Sequence, residues 1–585
     1  MNGNSVPQAA SSFASLARLE PLLSLRPGYL TSRARRVNHL DLGMPRIDAK
    51  RPMGLSIPRW LIDWHIPADF SARTSSEQQE IGRWLTETFA TDPHKIAMRH
   101  QRFNGFDLRR HTVWEHGRET TARPPTPRQL RLWSRPSPPC LIEEWRDLSG
   151  FKTARFNPPG LRRTAAWSRE TASAHGAKLG CLFAAAIDHH GEVVGKAKAA
   201  PVLLSFAMLA VPRVWDIAIG SADSRKGHLS RGDTLFLALG RTLLDPRSGW
   251  LPQAPHLAGR LRRMAGVVSD DDVTAAQQDW PAFCARAHDH LSMRVADVAR
   301  LSVRVRDPLR PIAPILDAPN PLFMIGAIAE YMWSQSPDPQ TAPLDWARHV
   351  RDYLLLRIGM HTALRSRNIR ELRIGQIGLP NSGAGLLGTR GELRRERSGG
   401  WEVIVPRAAF KNSRGAQFGS EPFRVALPDW DHLHERIAIY LEKARPLLSR
   451  FGSAEDAVFV SVQRKESRPM THSELQRAWW VAMAQYGILN PWTGRGLVDG
   501  LLPHGPHTIR SIVATQILKT TGSIHLAAFA IQDHPVTVQK YYIRYLPAGQ
   551  RALVDDALAR ARTSHLALSG RTSAKSDIPR KSGRG

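Results

Sequence analysis

His507-Thr508-Ile509-Arg510-Ser511-Ile512-Val513-Ala514-Thr515 opens a run in which Ile509, Val513 and Ile517 recur every fourth residue. That spacing predicts a helix from His507 to about Thr520, stopped by Gly522, with Ser523 capping a second helix that carries Leu526, Ala527 and Phe529. His507 and Arg510 are three residues apart, so both side chains project from one face. An arginine presents a planar fork of donors that fits two non-bridging phosphate oxygens, and a histidine beside it donates to the same group or moves a proton. Downstream, Asp533-His534 is followed eight residues after His534 by Tyr542, itself paired with Tyr541. A phenol near arginines and a phosphate is a potential covalent nucleophile.

Upstream, Pro343 opens a helix in which Trp346, Val350, Leu354 and Ile358 form one apolar stripe. Arg365 sits at its end, before a short helix through Asn368 and Leu372, and supplies a second guanidinium. Trp401 to Val405 and Phe423 to Leu427 are β-rich, predicting a hairpin or short meander with Lys411 near the turn, in reach of a leaving oxygen. Helix, small sheet, then helices make a mostly helical α+β domain. Each feature alone is ordinary. His-x-x-Arg spacing arises by chance, a turn lysine is usually solvated, and a Tyr-Tyr pair more often packs a core. Their order along the chain is what carries information.

The remainder of the 585 residues bounds the function class. Lysine and arginine exceed acids by 81 − 52, a formal charge of +29, which calls for a polyanionic partner, most often nucleic acid. Hydrophobic content of 42% and charged content of 23% are those of a globular chain, not a disordered one. Cys140, Cys181 and Cys284 are too scattered for a disulfide framework or a metal clip, and suit a reducing cytosol. The most apolar stretch, Ala199 to Pro212, falls short of the roughly 20 residues a spanning helix needs. The start of the chain lacks the pattern of a secretory signal; its Ser- and Arg-rich first forty residues fit a basic DNA-binding arm, or alternatively a transit peptide.

Two proline clusters divide the chain. Pro124 to Pro139, with Arg123, Arg128, Arg131 and Arg135 between, reads as an extended basic linker, and Pro308 to Pro321 as a domain boundary. The expected layout is an N-terminal region (1–122) with Trp60, Trp64, Trp84 and Trp114, enough aromatics for a small packed unit; a linker (123–139); a helical region (150–307); a catalytic domain (320–555); and a basic tail (562–585).

As an ordered set these residues resemble the tyrosine recombinase (phage integrase) family. Its first box matches Arg365, with Asn368, Ile369 and Leu372 at the following positions; its hairpin lysine matches Lys411; its second box matches His507-Thr508-Ile509-Arg510. The late histidine position falls on His534, and the tyrosine follows in Thr537-Val538-Gln539-Lys540-Tyr541-Tyr542. The resemblance spans about residues 320 to 555. It implies a multidomain, mainly α fold with a small β-sheet: an α+β catalytic domain preceded by a helical core-binding domain. It also implies cutting and rejoining of double-stranded DNA through a 3′-phosphotyrosyl intermediate, without metal or other cofactor, for integration or excision of a mobile element. Arg365 and Arg510 would clamp the phosphate, His507 and His534 assist, Lys411 protonate the leaving oxygen and Tyr542 attack. Homo- or hetero-tetramers on DNA, and a cytoplasmic, nucleoid-associated location, follow from the same likeness, with no membrane association.

Three departures leave alternatives open. Tyr541 competes with Tyr542 as nucleophile, Asp533 competes with His534 for the late histidine position, and residues 490 to 505 form an insertion ahead of His507 with no family counterpart. An inactive DNA-binding partner of the same fold and a type IB topoisomerase are the rival functions. A metal-dependent nuclease or DDE transposase fits poorly, because Asp188, Asp270-Asp271-Asp272 and His504 with His507 lack a ligand spacing.

Overall fold

The computed structural model describes residues 57–89, 105–114, 118–119, 135–196, 200–303, 307–375, 390–396, 399–410, 421–452, 456–463, 466–542 and positions 555, 558–560 and 562. Lys411, most of the proline-arginine linker, residues 543–550 and the basic tail beyond Arg562 lie outside that set. Among the described residues, those before Ala90 and those from Pro308 on belong to one unit, and those between to a second.

Among the described residues, the first helices of the first unit are α1 (Arg59–His65) and α2 (Ser75–Phe89). Trp60, Trp64 and Trp84 do not close a separate N-terminal unit. They pack into the core of the C-terminal half, with Trp60 edge-on to Trp480 at 6.2 Å and Trp64 edge-on to Tyr486 at 5.7 Å. Two short helices cannot bury so much aromatic surface against each other, and the C-terminal half offers an apolar face to take it.

Among the described residues, the second unit holds a two-residue ladder, β1 (Val113–Trp114) with β2 (Arg118–Glu119), and six α-helices. These are α3 (Pro139–Thr153), α4 (Arg169–Val194), α5 (Pro212–Lys226), α6 (Arg231–Leu244), α7 (Asp270–Gln278) and α8 (Trp280–Leu301). Helices start where the sequence supplies caps: Ser168 accepts from Thr171, and Ser230 and Ser269 form reciprocal capping boxes with Asp233 and Asp272. Trp145, Phe183, Phe206, Trp215 and Leu291 fill the core. Gly240 allows a close approach, since a Cβ there would stand 2.6 Å from the Trp215 ring.

The first unit resumes with α9 (Ala313–Asp317), α10 (Pro321–Ser334), α11 (Pro343–Thr362) and α12 (Ser366–Arg370). A four-stranded sheet follows, in the order β3 (Arg373–Ile374), β4 (Glu392–Arg395), β5 (Trp401–Val405), β6 (Phe423–Leu427). The β5–β6 pair is the antiparallel hairpin expected from the sequence, with Trp401 opposite Leu427 and Val405 opposite Phe423. After it come α13 (Leu433–Ile439), α14 (Arg445–Ser449), the hairpin β7 (Val460–Gln463) and β8 (Glu466–Pro469), and α15 (His472–Ala482). Three helices follow: α16 (Thr508–Thr521), α17 (Ile524–Ala530) and α18 (Pro535–Tyr542). Gly522 (φ 66°) ends α16 and Ser523 caps α17, as the sequence requires. The architecture is mainly helical with small sheets.

Helix α11 is held in place by Arg357, which is fully buried and donates to Glu330 (2.8 Å), Asp431 (2.7 Å) and the Trp430 carbonyl (2.7 Å). Three acceptors compensate the desolvated guanidinium and fix the helix that leads to Arg365.

Candidate active site

Three stretches meet at the C-terminal end of α11. That helix ends on Ala363, a non-glycine residue in the left-handed region (φ 46°), and its carbonyl accepts from Arg510 Nη1 at 2.8 Å. The α11–α12 turn is therefore bonded to α16, which brings Arg365, the residue preceding α12, beside Arg510. Both guanidiniums donate to one oxygen: Arg365 Nη2 and Arg510 Nη2 each lie 3.0 Å from Asp533 Oδ2. Arg510 is only 2% exposed. Its burial, followed by the repulsion of Arg365, lowers its pKa to about 10, and it keeps its proton at neutral pH.

His507 stands at the start of α16 with an exposed edge. Desolvation by the surrounding protein, then the charges of Arg510 and Arg365, push its pKa below the ordinary histidine value, so the ring is neutral at pH 7. Tyr542, at the end of α18, is 8% exposed and its hydroxyl lies 3.0 Å from Ser511 Oγ. Burial raises its pKa, opposed by the Ser511 hydrogen bond and the Arg510 charge. The Tyr541 ring is half-buried, 6.4 Å from that of Tyr542 and beneath the Lys540 ammonium. Of the two phenols, it is Tyr542 whose hydroxyl is bonded to the residue next to Arg510.

The structure separates Asp533 from His534. The His534 side chain is exposed and accepts from the Val536 N–H at 3.3 Å, so it caps the start of α18 while Asp533 meets the arginines. Gln532, just before Asp533, has φ 50°, a conformation that favours glycine.

Lys411 lies outside the described residues, but the chain leading to it is anchored. Asn368 Nδ2 donates to the Ala409 carbonyl at 3.2 Å, and the Phe410 ring is edge-on to Phe423 at 5.8 Å. Asn368 thus ties the base of the β5–β6 connection to the helix that follows Arg365. Ser511 escaped the sequence reading, although its place four residues after His507, on the same helical face, is a usable signal.

The insertion at 490–505 packs onto the N-terminal helices. Asn490 Nδ2 donates to the His65 carbonyl (2.6 Å), Trp492 meets Trp84 edge-on at 5.6 Å, and Arg495 lies 5.0 Å over the Trp64 ring. Gly496 (φ 85°) is required there, since a Cβ would fall 1.9 Å from the Ile488 carbonyl oxygen. The buried imidazole of His65 bonds the Ala484 carbonyl through Nε2 at 2.9 Å, and desolvation lowers its pKa to about 4.

Among the described residues no group of three or more His, Cys, Asp or Glu side chains is placed to hold a metal ion, and no single helix is long and apolar enough to cross a membrane.

No family model and no curated protein matches the chain. Among solved structures it is similar to the XerH site-specific recombinase bound to difH substrate in a pre-cleavage complex, at 14% identity, over 68% of this chain and 91% of that one, with a TM-score of 0.30. It is also similar to the XerH post-cleavage complex with palindromic difH substrate, at 13% identity, over 71% and 87% of the two chains, with a TM-score of 0.32. Overlaps this low leave the reading of the site to its own geometry.

Proposed function

We propose that the chain is a site-specific DNA recombinase that cuts and rejoins double-stranded DNA through a 3′-phosphotyrosyl intermediate. The observation that supports this reading is the convergence of Arg365 and Arg510 on a single anionic oxygen, with the Tyr542 hydroxyl bonded to the residue adjoining Arg510. In this mechanism Tyr542 Oη forms a bond to phosphorus while the bond from phosphorus to the 5′-oxygen breaks. The phenol proton passes to His507, neutral at pH 7, and the departing 5′-oxygen takes a proton from Lys411. Arg365 and Arg510 hold the non-bridging oxygens and stabilise the charge that grows in the pentavalent transition state. The number of phosphodiester-type bonds is conserved, so a 5′-hydroxyl from another strand reverses the step without metal or nucleotide.

The net charge of +29 supplies affinity for the backbone and a steep salt dependence, not sequence choice. In this account the helical unit grips DNA as a core-binding domain and the protein assembles with other protomers, acting on a mobile element in the cytoplasm at the nucleoid. The test is covalent trapping on nicked duplexes from the flanks of the encoding locus and from a site library, in EDTA. An SDS-resistant, protease-sensitive adduct with the wild type, lost in Tyr542→Phe and formed far more slowly in Arg510→Ala, is expected. Tight DNA binding with no adduct on any site would favour a second reading, a non-cleaving DNA-binding partner in which Asp533 permanently fills the anion position.

A further inference from the structure

The group on the arginine pair is one of the protein's own side chains. Asp533 Oδ2 receives both guanidiniums at 3.0 Å, the arrangement a non-bridging phosphate oxygen needs. We propose that Asp533 is a resident counter-anion: it occupies the phosphate position in the DNA-free protein and is displaced when a phosphodiester binds.

Arg510 is 2% exposed and is repelled by Arg365, so an anion shared by the two offsets the cost of burying its charge. Asp533 places one carboxylate oxygen against both. Its other described bond is local, from the His534 N–H to Oδ1 at 2.9 Å, and its side chain is 23% exposed, so a turn about the Cα–Cβ bond carries Oδ2 toward solvent without moving α18. The left-handed backbone at Gln532 aims the carboxylate inward. The exchange is isoelectric: one negative charge leaves the pair as another arrives. DNA binding is thus coupled to release of a tethered competitor, and the arginines stay paired in both states. The opposite arrangement, a fixed carboxylate that orients the arginines while phosphate takes their remaining N–H groups, predicts the reverse effect of neutralising Asp533.

The inference rests on the strand-transfer reading for its consequence in DNA cleavage, but its first test does not. The full chain is titrated with tungstate, a phosphate mimic, and binding is followed by isothermal titration calorimetry for wild type, Asp533→Asn and Asp533→Asn/Arg510→Ala. Removing one unit charge next to the site raises tungstate affinity by about tenfold or more in Asp533→Asn, and the double variant loses the gain. Equal or weaker binding in Asp533→Asn overturns the proposal, because a carboxylate that only orients the arginines would be missed when neutralised. If the amide variant does not fold, Asp533→Ser carries the same comparison. The adduct assay then separates the two claims. Faster adduct formation in Asp533→Asn supports both, whereas gained tungstate affinity with no adduct in any variant keeps the counter-anion and removes strand transfer.

Discussion

The hydrogen bond between Ser511 and Tyr542 can be weighed by a double-mutant cycle. Both residues are at least nine-tenths buried and their oxygens are 3.0 Å apart. Ser511→Ala leaves the Tyr542 hydroxyl without that partner, and Tyr542→Phe does the same to Ser511; an unpaired buried hydroxyl costs about 1–3 kcal/mol. The double variant leaves neither stranded, so its loss falls short of the sum of the single losses by a coupling of about 1 kcal/mol. Because the chain has two units, a global melting temperature does not report on this contact, and hydrogen exchange at the α16 amides (508–521) is the suitable readout. Strictly additive losses would mean that the phenol is not held against α16, and the placement of Tyr542 beside Arg510 would fall with it.

Other consequences follow from particular contacts. Arg510→Ala lowers the rate of adduct formation by about 10²–10³-fold, as loss of one oxyanion-type donor does elsewhere, read in single-turnover trapping. EDTA leaves adduct formation unchanged at saturating DNA, whereas an absolute requirement for a divalent cation would contradict the proposed chemistry. His65 is neutral when folded, with its pKa lowered from 6.5 to about 4, so the unfolded chain binds more protons between those values and stability falls as pH drops through that window. The loss reaches about 3 kcal/mol near pH 4 at 1.36 kcal/mol per unit, and hydrogen exchange in α1 and α2 should rise there, less so in His65→Gln. Arg357→Ala removes the guanidinium that bonds the half-exposed Asp431 and one partner of Glu330, which keeps Arg436, and costs about 1–3 kcal/mol by denaturant unfolding of the C-terminal half.

Local rules carried much of the C-terminal half. The α16 stripe with Gly522 and Ser523, the Pro343 helix and the two hairpin strands are set by periodicity and capping, which act within a few residues. What the sequence did not show depends on distant partners. Trp60, Trp64 and Trp84 read as a local cluster because nothing in their own stretch reveals an apolar face more than three hundred residues away, on Trp480, Tyr486 and Trp492. At the site, His507, Arg510 and Arg365 were recognisable as residue types in order. Which of Asp533 and His534 meets the arginines was not, since adjacent residues before a helix exchange places with a single backbone angle, here the left-handed Gln532. Ser511 was hidden because a serine in a helix has no chemistry of its own until a phenol is placed against it.

The measurement that bears most directly on the central claim is tandem mass spectrometry of the trapped adduct after protease and nuclease digestion. The account predicts a nucleotide phosphate on the peptide containing Lys540-Tyr541-Tyr542, with fragment ions placing it on Tyr542 and retention of the adduct in Tyr541→Phe. A phosphonucleotide on Tyr541, or on any residue outside that peptide, would contradict it.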